Sequence, residues 1–379
     1  MSFRLSLDPA DTLAIGDGRP FNQNDPGLAI AASVFPPPPD TLYGAARVAC
    51  ARALGWNGTG EWSERNPDIV ATMGDWNGPG TFTISGPFFR VDDTVLLPIP
   101  SHVVLSESVD GCELVCLTPA DKPVTTDLGP VRLLDIPPHG EVNKYYPLAG
   151  RWGKADAVLK LLKGEAIEPD DLGKIEDLES ARLPNKPSEL RGWSLDDLAA
   201  PEYRVGIARD TTTRLAADGQ LYAAVRRCLR KHVELFVEVE GMEQPDNFSV
   251  AVRLGGEARF AFASAHTSLI PAEKSTTGEK YLVYFASPVV LLTPLCPGDD
   301  VAGLPGKLVM ASIANVTSHS GRTKNTKGKG KRAISNIVVP AGSVLFMEGG
   351  DGTENLPERL GDKEKTHMGY GRYFIGVWT

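Results

Sequence analysis

Four consecutive prolines at residues 36–39 limit what this chain can build more tightly than any other feature of the sequence. A proline run holds the extended polyproline conformation, so it acts as a stiff spacer and fixes where the next element begins. The residues that follow predict a helix over 41–54, which Asp40 could cap and Gly55 could end. Small side chains dominate the apolar stripe of this helix and would let it pack closely on a sheet. The stripe consists of Leu42, Ala45, Ala46, Ala49 and Ala53.

Short alternating runs separated by glycine, proline and aspartate predict strands through most of the remaining chain. Helical patterns are limited to 155–163, 194–200 and 287–295. The two halves are therefore both β-rich, and each shows strand, helix and strand signals, as a duplicated module would. The sequence predicts an α+β protein. The predicted strands lie at 3–15 (with a break near Pro9), 81–117, 203–208, 221–224, 233–239, 248–254, 260–265, 338–339, 344–347 and 373–378.

The length of 379 residues favours two domains, because a single core rarely grows beyond about 250 to 300 residues. Residues 155–200 are polar and acidic, which is typical of a connector or an insertion. We therefore expect an N-terminal domain at 1–154, the acidic connector at 155–200 and a C-terminal domain at 201–379. The last of these contains a basic loop at 318–333.

A formal net charge of −9 argues against a polyanionic partner, because long-range repulsion slows association. Its distribution is uneven, however, since one segment at 322–332 contains six cations and no acidic residue. Such a segment can hold phosphates. Six contacts to a single nucleic-acid strand would steepen the slope of log affinity against log salt concentration by about 4 at most. A solvated surface loop is the alternative. The six cations are Arg322, Lys324, Lys327, Lys329, Lys331 and Arg332.

Two further segments combine cations with aromatic rings. In the C-terminal motif, Gly369 and Gly371 would let backbone amides approach a phosphate, while Tyr370 offers a stacking ring and Arg372 a charge. A tight turn before a strand explains the same motif equally well.

The second such segment lies near the N-terminus. Arg19 and Phe21 follow a turn, and Ser33 and Phe35 precede the proline run. They could present a cation and rings beside exposed bases. Alternatively, Phe21 and Phe35 fill the edge of the core.

Cysteine usage and hydropathy indicate a cytoplasmic chain. Five cysteines form no disulfide framework, and the N-terminus carries no apolar signal segment. The longest apolar stretch, 281–295, is too short to span a bilayer and contains Pro288 and Pro294. No membrane association is expected.

The sequence contains no recognisable catalytic motif. Histidines and cysteines lack zinc-finger spacing, and neither a phosphate-binding P-loop nor a serine-nucleophile elbow is present. His367 and Tyr370 are the one pair that could move protons in RNA cleavage. Catalysis is therefore possible only by a diffuse site, and neither a metal nor a small-molecule cofactor is expected.

A series of motifs runs along most of the chain. Taken together, they resemble the third subunit of the Cmr effector, a type III-B CRISPR complex, within the RAMP superfamily. The motifs are Leu7-Asp8-Pro9, Gly18-Arg19-Pro20-Phe21, Ser33-Val34-Phe35 with the prolines, Gly44-Ala45, Val205-Gly206-Ile207, Gly219-Gln220-Leu221-Tyr222, Leu254-Gly255-Gly256, Pro340-Ala341-Gly342 and Gly369-Tyr370-Gly371.

The resemblance implies two ferredoxin-like (RRM-like) modules with insertions and a C-terminal glycine-rich loop. It also implies binding to the 5′ tag of the guide crRNA, beside the large polymerase/cyclase-like Cmr subunit and a backbone RAMP subunit, without nuclease activity. The basic segment 322–332 is an independent addition to the RNA-facing residues that the resemblance implies. These are Arg19, Phe21, Ser33, Phe35, Arg47, Tyr370 and Arg372.

Three hypotheses therefore remain at this stage. The chain is a tag-binding scaffold of a ribonucleoprotein in antiviral defence, a metal-independent endoribonuclease that processes crRNA, or an assembly subunit that contacts only protein. The first predicts salt-sensitive RNA binding without cleavage, and the second predicts that His367 is essential.

Overall fold

The computed structural model shows a strand-rich protein with few helices, which confirms the α+β part of the predicted fold class. It divides into two compact units. Unit 1 comprises 1–87, 195–268 and 318–336, and unit 2 comprises 88–194, 269–317 and 337–379. The division predicted at residues 154 and 200 stays a prediction. The structure describes residues 2–16, 29–62, 67–75, 79–108, 111–127, 129–136, 144–173, 191–271, 277–319, 322–324, 330–332, 336–352 and 356–378.

The helices are short. Across the described ranges, none is long and apolar enough to cross a membrane. They are α1 (Pro39–Ala53), α2 (Pro67–Met73), α3 (Ala155–Leu162), a 3-10 helix (Pro169–Leu172), α4 (Leu195–Leu198) and α5 (Lys363–Thr366).

Strands account for most of the remaining elements. They are β1 (Ser2–Pro9), β2 (Ala29–Ala32), β3 (Thr83–Val91), β4 (Thr94–Pro98), β5 (Val103–Ser108), β6 (Gly111–Cys116), β7 (Thr118–Pro119), β8 (Val124–Thr126), β9 (Gly129–Val131), β10 (Leu134–Asp135), β11 (Lys144–Pro147), β12 (Trp152–Lys154), β13 (Ala199–Arg209), β14 (Ala216–Leu229), β15 (Val233–Glu240), β16 (Ser249–Arg253), β17 (Phe260–Thr267), β18 (Lys280–Phe285), β19 (Val289–Val290), β20 (Lys307–Ser312), β21 (Thr317–His319), β22 (Arg322–Lys324), β23 (Gly330–Arg332), β24 (Asn336–Val339), β25 (Val344–Glu348), β26 (Met368–Gly369) and β27 (Tyr373–Gly376).

The proline run starts α1 earlier than predicted. The helix begins at Pro39, and Pro38 is its N-cap. Proline suits the first helical position because its missing N–H has no partner there and its φ is already helical. Asp40 therefore lies in the first turn and is not the cap, which corrects the prediction.

The small-residue stripe of α1 faces the interior of unit 1, as predicted. Ala46 and Ala49 are fully buried, and the Arg52 guanidinium donates a 2.7 Å hydrogen bond to the backbone oxygen of Ala251 in β16. The helix thus packs against the sheet at β16. Beyond its end, Gly55 has a φ of +95°, a conformation that glycine adopts readily.

The sheet under α1 is antiparallel, in the order β15-β1-β17-β16. Alternation along β1 places Phe3, Leu5 and Leu7 in the core, where Leu7 lies opposite Ala263 of β17. Because β1 pairs with strands more than two hundred residues later in the chain, the core of unit 1 depends on distant segments.

Unit 2 is built on the sheet β20-β25-β18-β27. Its fully buried aromatics include Tyr284 and Phe346, and the Trp378 indole N–H donates a 2.9 Å hydrogen bond to the backbone oxygen of Tyr281. Helix α3, which the sequence places in the acidic connector, buries its apolar side within this unit.

The helical pattern predicted at 287–295 is wrong, because the segment contains the short strand β19. Prolines at 288 and 294 deprive a helix of backbone donors, while the β-branched Val289 and Val290 pair with Val339 and Val338 of β24.

A buried histidine in unit 2 predicts a pH dependence of stability. Burial lowers the pKa of His102 from 6.5 to about 4, so the folded protein holds it neutral while the unfolded chain takes up a proton near pH 6.5. Stability is therefore lost as pH falls through this window, by about 2 kcal/mol between pH 7.5 and pH 5. Urea unfolding of the protein and of His102→Phe should show this difference. The same pH dependence in both would contradict it.

Candidate nucleic-acid interface

A long hairpin in unit 1 forms a second sheet. Strands β13 and β14 pair antiparallel, and β2 adds in parallel to β14, in the order β13-β14-β2. We call these three strands the hairpin sheet. Tyr203 lies opposite Val225, and Val205 lies opposite Ala223.

One face of the hairpin sheet exposes apolar side chains. Alternation along β13 brings Tyr203, Val205 and Ile207 to the same side, where their side chains are 74%, 70% and 49% exposed. We call these three residues the apolar face. A contiguous exposed apolar surface of this kind is typical of a site that binds a partner.

The hairpin is also locally basic. Between Ala199 and Leu229 the sequence has five arginines and three acidic residues, within a chain of net charge −9. Arg204 alternates with the apolar face and forms an ion pair with Glu202. Arg226 is paired with Glu257 and Arg227 with Asp196, so acidic neighbours hold these guanidinium groups in place.

Hydrogen bonds shape the tip of the hairpin. The Asp210 carboxylate accepts bonds from the backbone N–H groups of Thr213 (2.6 Å) and Thr212 (2.9 Å). These bonds hold the pKa of Asp210 below its ordinary value, so the carboxylate stays ionised. Arg209 and Arg214 flank it and are exposed. The tip therefore presents two cations around one fixed negative charge.

The predicted residue Ser33 lies beside the hairpin sheet. Its backbone N–H donates a 2.8 Å bond to the Val225 oxygen, and its hydroxyl accepts a 2.9 Å bond from the Ile15 N–H. Arg19 and Phe21 lie outside the described residues, in the connection 17–28. Gly16, just before that connection, pairs with Ser33. Ala29, just after it, pairs with β14.

Phe35 and Arg47 support the fold of unit 1. Phe35 is buried, which agrees with the alternative that it fills the core edge. The Arg47 Nε donates a 2.8 Å bond to the Met73 oxygen at the end of α2, and its guanidinium carbon lies 4.9 Å from the centre of the Trp62 ring. Their contribution to RNA binding stays a prediction.

The Arg47 contacts predict a loss of stability on substitution. In Arg47→Met the Met73 oxygen loses its partner and the cation–π contact disappears, which should lower the free energy of unfolding by about 1 to 3 kcal/mol. Arg253→Met, at an exposed strand position, is the control and should change stability by less than about 0.5 kcal/mol. Urea unfolding of both variants measures this. If Arg47→Met were as stable as the control, the supporting role would be excluded.

The predicted C-terminal residues lie in unit 2. The Tyr370 side chain is 1% exposed and packs with Val290 and Val338. The Arg372 guanidinium donates a 3.1 Å bond to the Pro271 oxygen. Gly369 and Gly371 both have positive φ values, of +110° and +77°. The motif therefore forms a tight turn that orders the chain, and its contact with RNA stays a prediction.

The basic segment forms a two-stranded ribbon. Strand β22 pairs antiparallel with β23, and Arg322 lies opposite Arg332. Lys327 and Lys329 fall outside the described residues, whereas Lys324 and Lys331 lie in the two strands. We call β22 and β23 the basic ribbon. The ribbon therefore brings four of the six cations of the sequence onto two paired strands.

The residues that the structure describes do not assemble a metal centre, since they contain no group of three or more His, Cys, Asp or Glu side chains in a metal-binding arrangement. The five cysteines are free thiols. His367 is half-buried, and the phenol of Tyr370 lies in the core. The cleavage hypothesis therefore depends on a tyrosine that RNA could not reach in this conformation.

The apolar face was not predicted from the sequence. Its strand was predicted, and the alternation of Tyr203, Val205 and Ile207 was visible. Alternating apolar residues usually face a core, so the pattern by itself does not mark an exposed surface. An arginine between Tyr203 and Val205 was the available signal for a hairpin with two solvent-facing sides.

Comparisons with known proteins give a family match that spans nearly the whole chain. The family model described as CRISPR-associated protein (Cas_Cmr3) matches residues 5–378. A search of curated protein sequences finds no match.

Several solved structures are also similar. Two are cryo-EM structures of the Type III-B Cmr-beta bound to cognate target RNA, one of them also with AMPPnP. Each has a chain that is 17% identical, with a TM-score of 0.45, covering 90% of this chain and 86% of that chain. The third is a crystal structure of the Csm3-Csm4 subcomplex in the type III-A CRISPR-Cas interference complex, with 11% identity, a TM-score of 0.39 and coverage of 100% and 99%.

Proposed function

The chain belongs to the Cas_Cmr3 family of CRISPR-associated proteins, and from that premise we propose that it is a non-catalytic, RNA-binding subunit of a type III-B effector complex. The family match confirms the resemblance of the sequence motifs to the third Cmr subunit. The surface of unit 1 supports the RNA-binding part of the proposal.

The apolar face carries this proposal. An exposed tyrosine ring with two aliphatic neighbours can accept unpaired bases, and the arginines of the same hairpin can hold phosphates. Ser33 and both ends of the connection that contains Arg19 and Phe21 lie at this sheet. The N-terminal candidates of the sequence and the surface found in the structure therefore belong to one region of unit 1.

We assign the 5′ tag of the crRNA as the RNA that is bound, in the cytoplasm. The large polymerase/cyclase-like subunit and a backbone RAMP subunit are the protein partners in this proposal. Family membership supports these assignments. A purified chain that cleaves repeat RNA, with or without divalent metal, would overturn the non-catalytic role.

We also propose that each unit is an elaborated ferredoxin-like (RRM-like) module. The antiparallel sheet of unit 1 with α1 on one side supports this. Strand β1 is antiparallel to both of its neighbours, so the module would have a rearranged strand order. An experimental structure of the RNA-bound chain tests the assignment.

The salt dependence of RNA binding should show whether the basic ribbon contacts phosphates. Replacing Arg322, Lys324, Lys331 and Arg332 by glutamine removes four cations, which should reduce the log–log salt slope of binding to single-stranded tag RNA by about 3. Fluorescence anisotropy at a series of salt concentrations measures the slope. An unchanged slope would show that the ribbon does not meet phosphates. A shuffled tag RNA is the specificity control, and equal affinity for it would contradict tag recognition.

A further inference from the structure

Unit 2 contains a cavity that the proposed function does not use. Its volume is about 480 Å³, which falls in the range of small-molecule sites. Aliphatic side chains from α3, β18 and the C-terminal segment form part of its wall, and Phe346 and Trp378 contribute aromatic rings. The lining also includes His102, Thr118, Lys163, Glu165 and Ala166.

The aromatic wall is fixed in place. The rings of His102 and Phe346 meet edge to face with centroids 5.5 Å apart, and those of Phe346 and Trp378 do so at 5.6 Å. The Trp378 indole is held by its bond to the Tyr281 oxygen. Phe346 is itself fully buried and supports the two neighbouring rings. A ligand would thus meet a preformed surface, which lowers the entropic cost of binding.

His102 leaves a polar atom without a partner. Its side chain is 4% exposed, and among the described residues nothing forms a hydrogen bond with its Nδ1 atom. Burial keeps the ring neutral at pH 7, since its pKa is about 4. Buried polar groups are usually paired, because an unpaired one costs free energy. A ligand that satisfies the imidazole would remove this cost.

Charge and shape limit the class of ligand. The charged residues at the cavity, Lys163 and Glu165, have opposite signs, and the histidine is neutral. A charged group would therefore lose its hydration without a matching counter-charge. A flat, neutral heterocycle fits better, because the Trp378 ring can contact it, while His102 and Thr118 line the same cavity and carry hydrogen-bonding groups.

We propose that this cavity binds a nucleobase. The base could belong to a free nucleotide or to an RNA strand, and both present the same heterocycle. This inference does not rest on the RNA contacts proposed for unit 1, because none of the residues that line the cavity lies there.

The test uses the full chain and the four common ribonucleosides in isothermal titration calorimetry. We expect at least one to bind with a Kd below about 1 mM and to lose about 10-fold or more in affinity in His102→Phe, which keeps the aromatic contact but removes the ring nitrogens. Ala166→Trp should block the cavity from its exposed rim. Ala302→Trp, at an exposed position that does not line the cavity, is the matched control and should bind normally.

A short single-stranded RNA distinguishes the two sources. If only the RNA binds, and Ala166→Trp weakens it about 10-fold while Ala302→Trp does not, the base belongs to a strand. If neither nucleosides nor RNA respond to His102→Phe or Ala166→Trp, the proposal is wrong. If His102→Phe does not fold, Ala166→Trp decides the question alone. Tyr203→Ala tests unit 1 separately, so the two proposals can fail independently.

Discussion

Replacing Gly371 with alanine is expected to lower the free energy of unfolding by about 3 to 5 kcal/mol. Gly371 has a φ of +77°, which strains an alanine, and a Cβ atom there would overlap the backbone oxygen of Leu360. Backbone atoms cannot move aside as the end of a flexible side chain can. The turn therefore requires glycine for its geometry, whether or not RNA approaches it. Thermal and urea unfolding measure the effect.

Gly44→Ala is the matched control. Gly44 is an exposed residue of α1, and a Cβ atom there would meet nothing within 4 Å. Alanine favours the helix and should stabilise the protein by about 0.5 to 1 kcal/mol. If Gly371→Ala were as stable as the wild type but bound RNA weakly, the glycine would serve RNA contact and the structural explanation would be wrong.

Alanine substitution of two tyrosines should affect different properties, RNA affinity in one case and stability in the other. Tyr203→Ala should weaken binding of tag RNA by about 5- to 150-fold, because stacking of one base contributes about 1 to 3 kcal/mol, while stability changes by less than about 0.5 kcal/mol. Tyr370→Ala should instead cost about 3 to 5 kcal/mol of stability, because it removes a buried ring. Fluorescence anisotropy and urea unfolding of both variants separate the two effects.

Tyr203→Phe is the control for the RNA measurement, since it keeps the stacking ring and should bind nearly as the wild type. Full RNA affinity in Tyr203→Ala would remove the observation on which the RNA-binding proposal depends. Loss of RNA affinity in a stably folded Tyr370→Ala would restore the direct contact that the C-terminal motif suggested.

Local sequence patterns predicted the helices and strands better than they predicted what these elements pack against. The strands at 203–208 and 233–239 and the helix after the prolines were all visible in the sequence. The helix predicted at 287–295 failed because its apolar residues match both periods, and only the pairing of Val289 with Val339 decides between them. That pairing joins residues 50 positions apart, which no local pattern records.

The candidate site was harder to predict, because it depends on which side chains remain uncovered. Glycines on either side of Tyr370 indicated a tight turn as one of two explanations, yet they carried no information on where the ring points. Conversely, Tyr203 lies in a predicted strand, and the strand pattern did not show which side of it is covered. Whether an alternating strand faces a core or solvent depends on the distant elements that pack over it, and these are fixed by the tertiary structure.

The segmented composition of the two units has a consequence for synthesis of the protein. Unit 1 takes segments as far as residue 336, and unit 2 takes segments as far as the C-terminus. Neither can finish folding while the ribosome still holds the second half of the chain, and translation takes tens of seconds at ordinary rates. Until then β1 remains without β15 and β17. Nascent chains therefore depend on protection from aggregation, and a gene cut at its midpoint yields no self-sufficient piece.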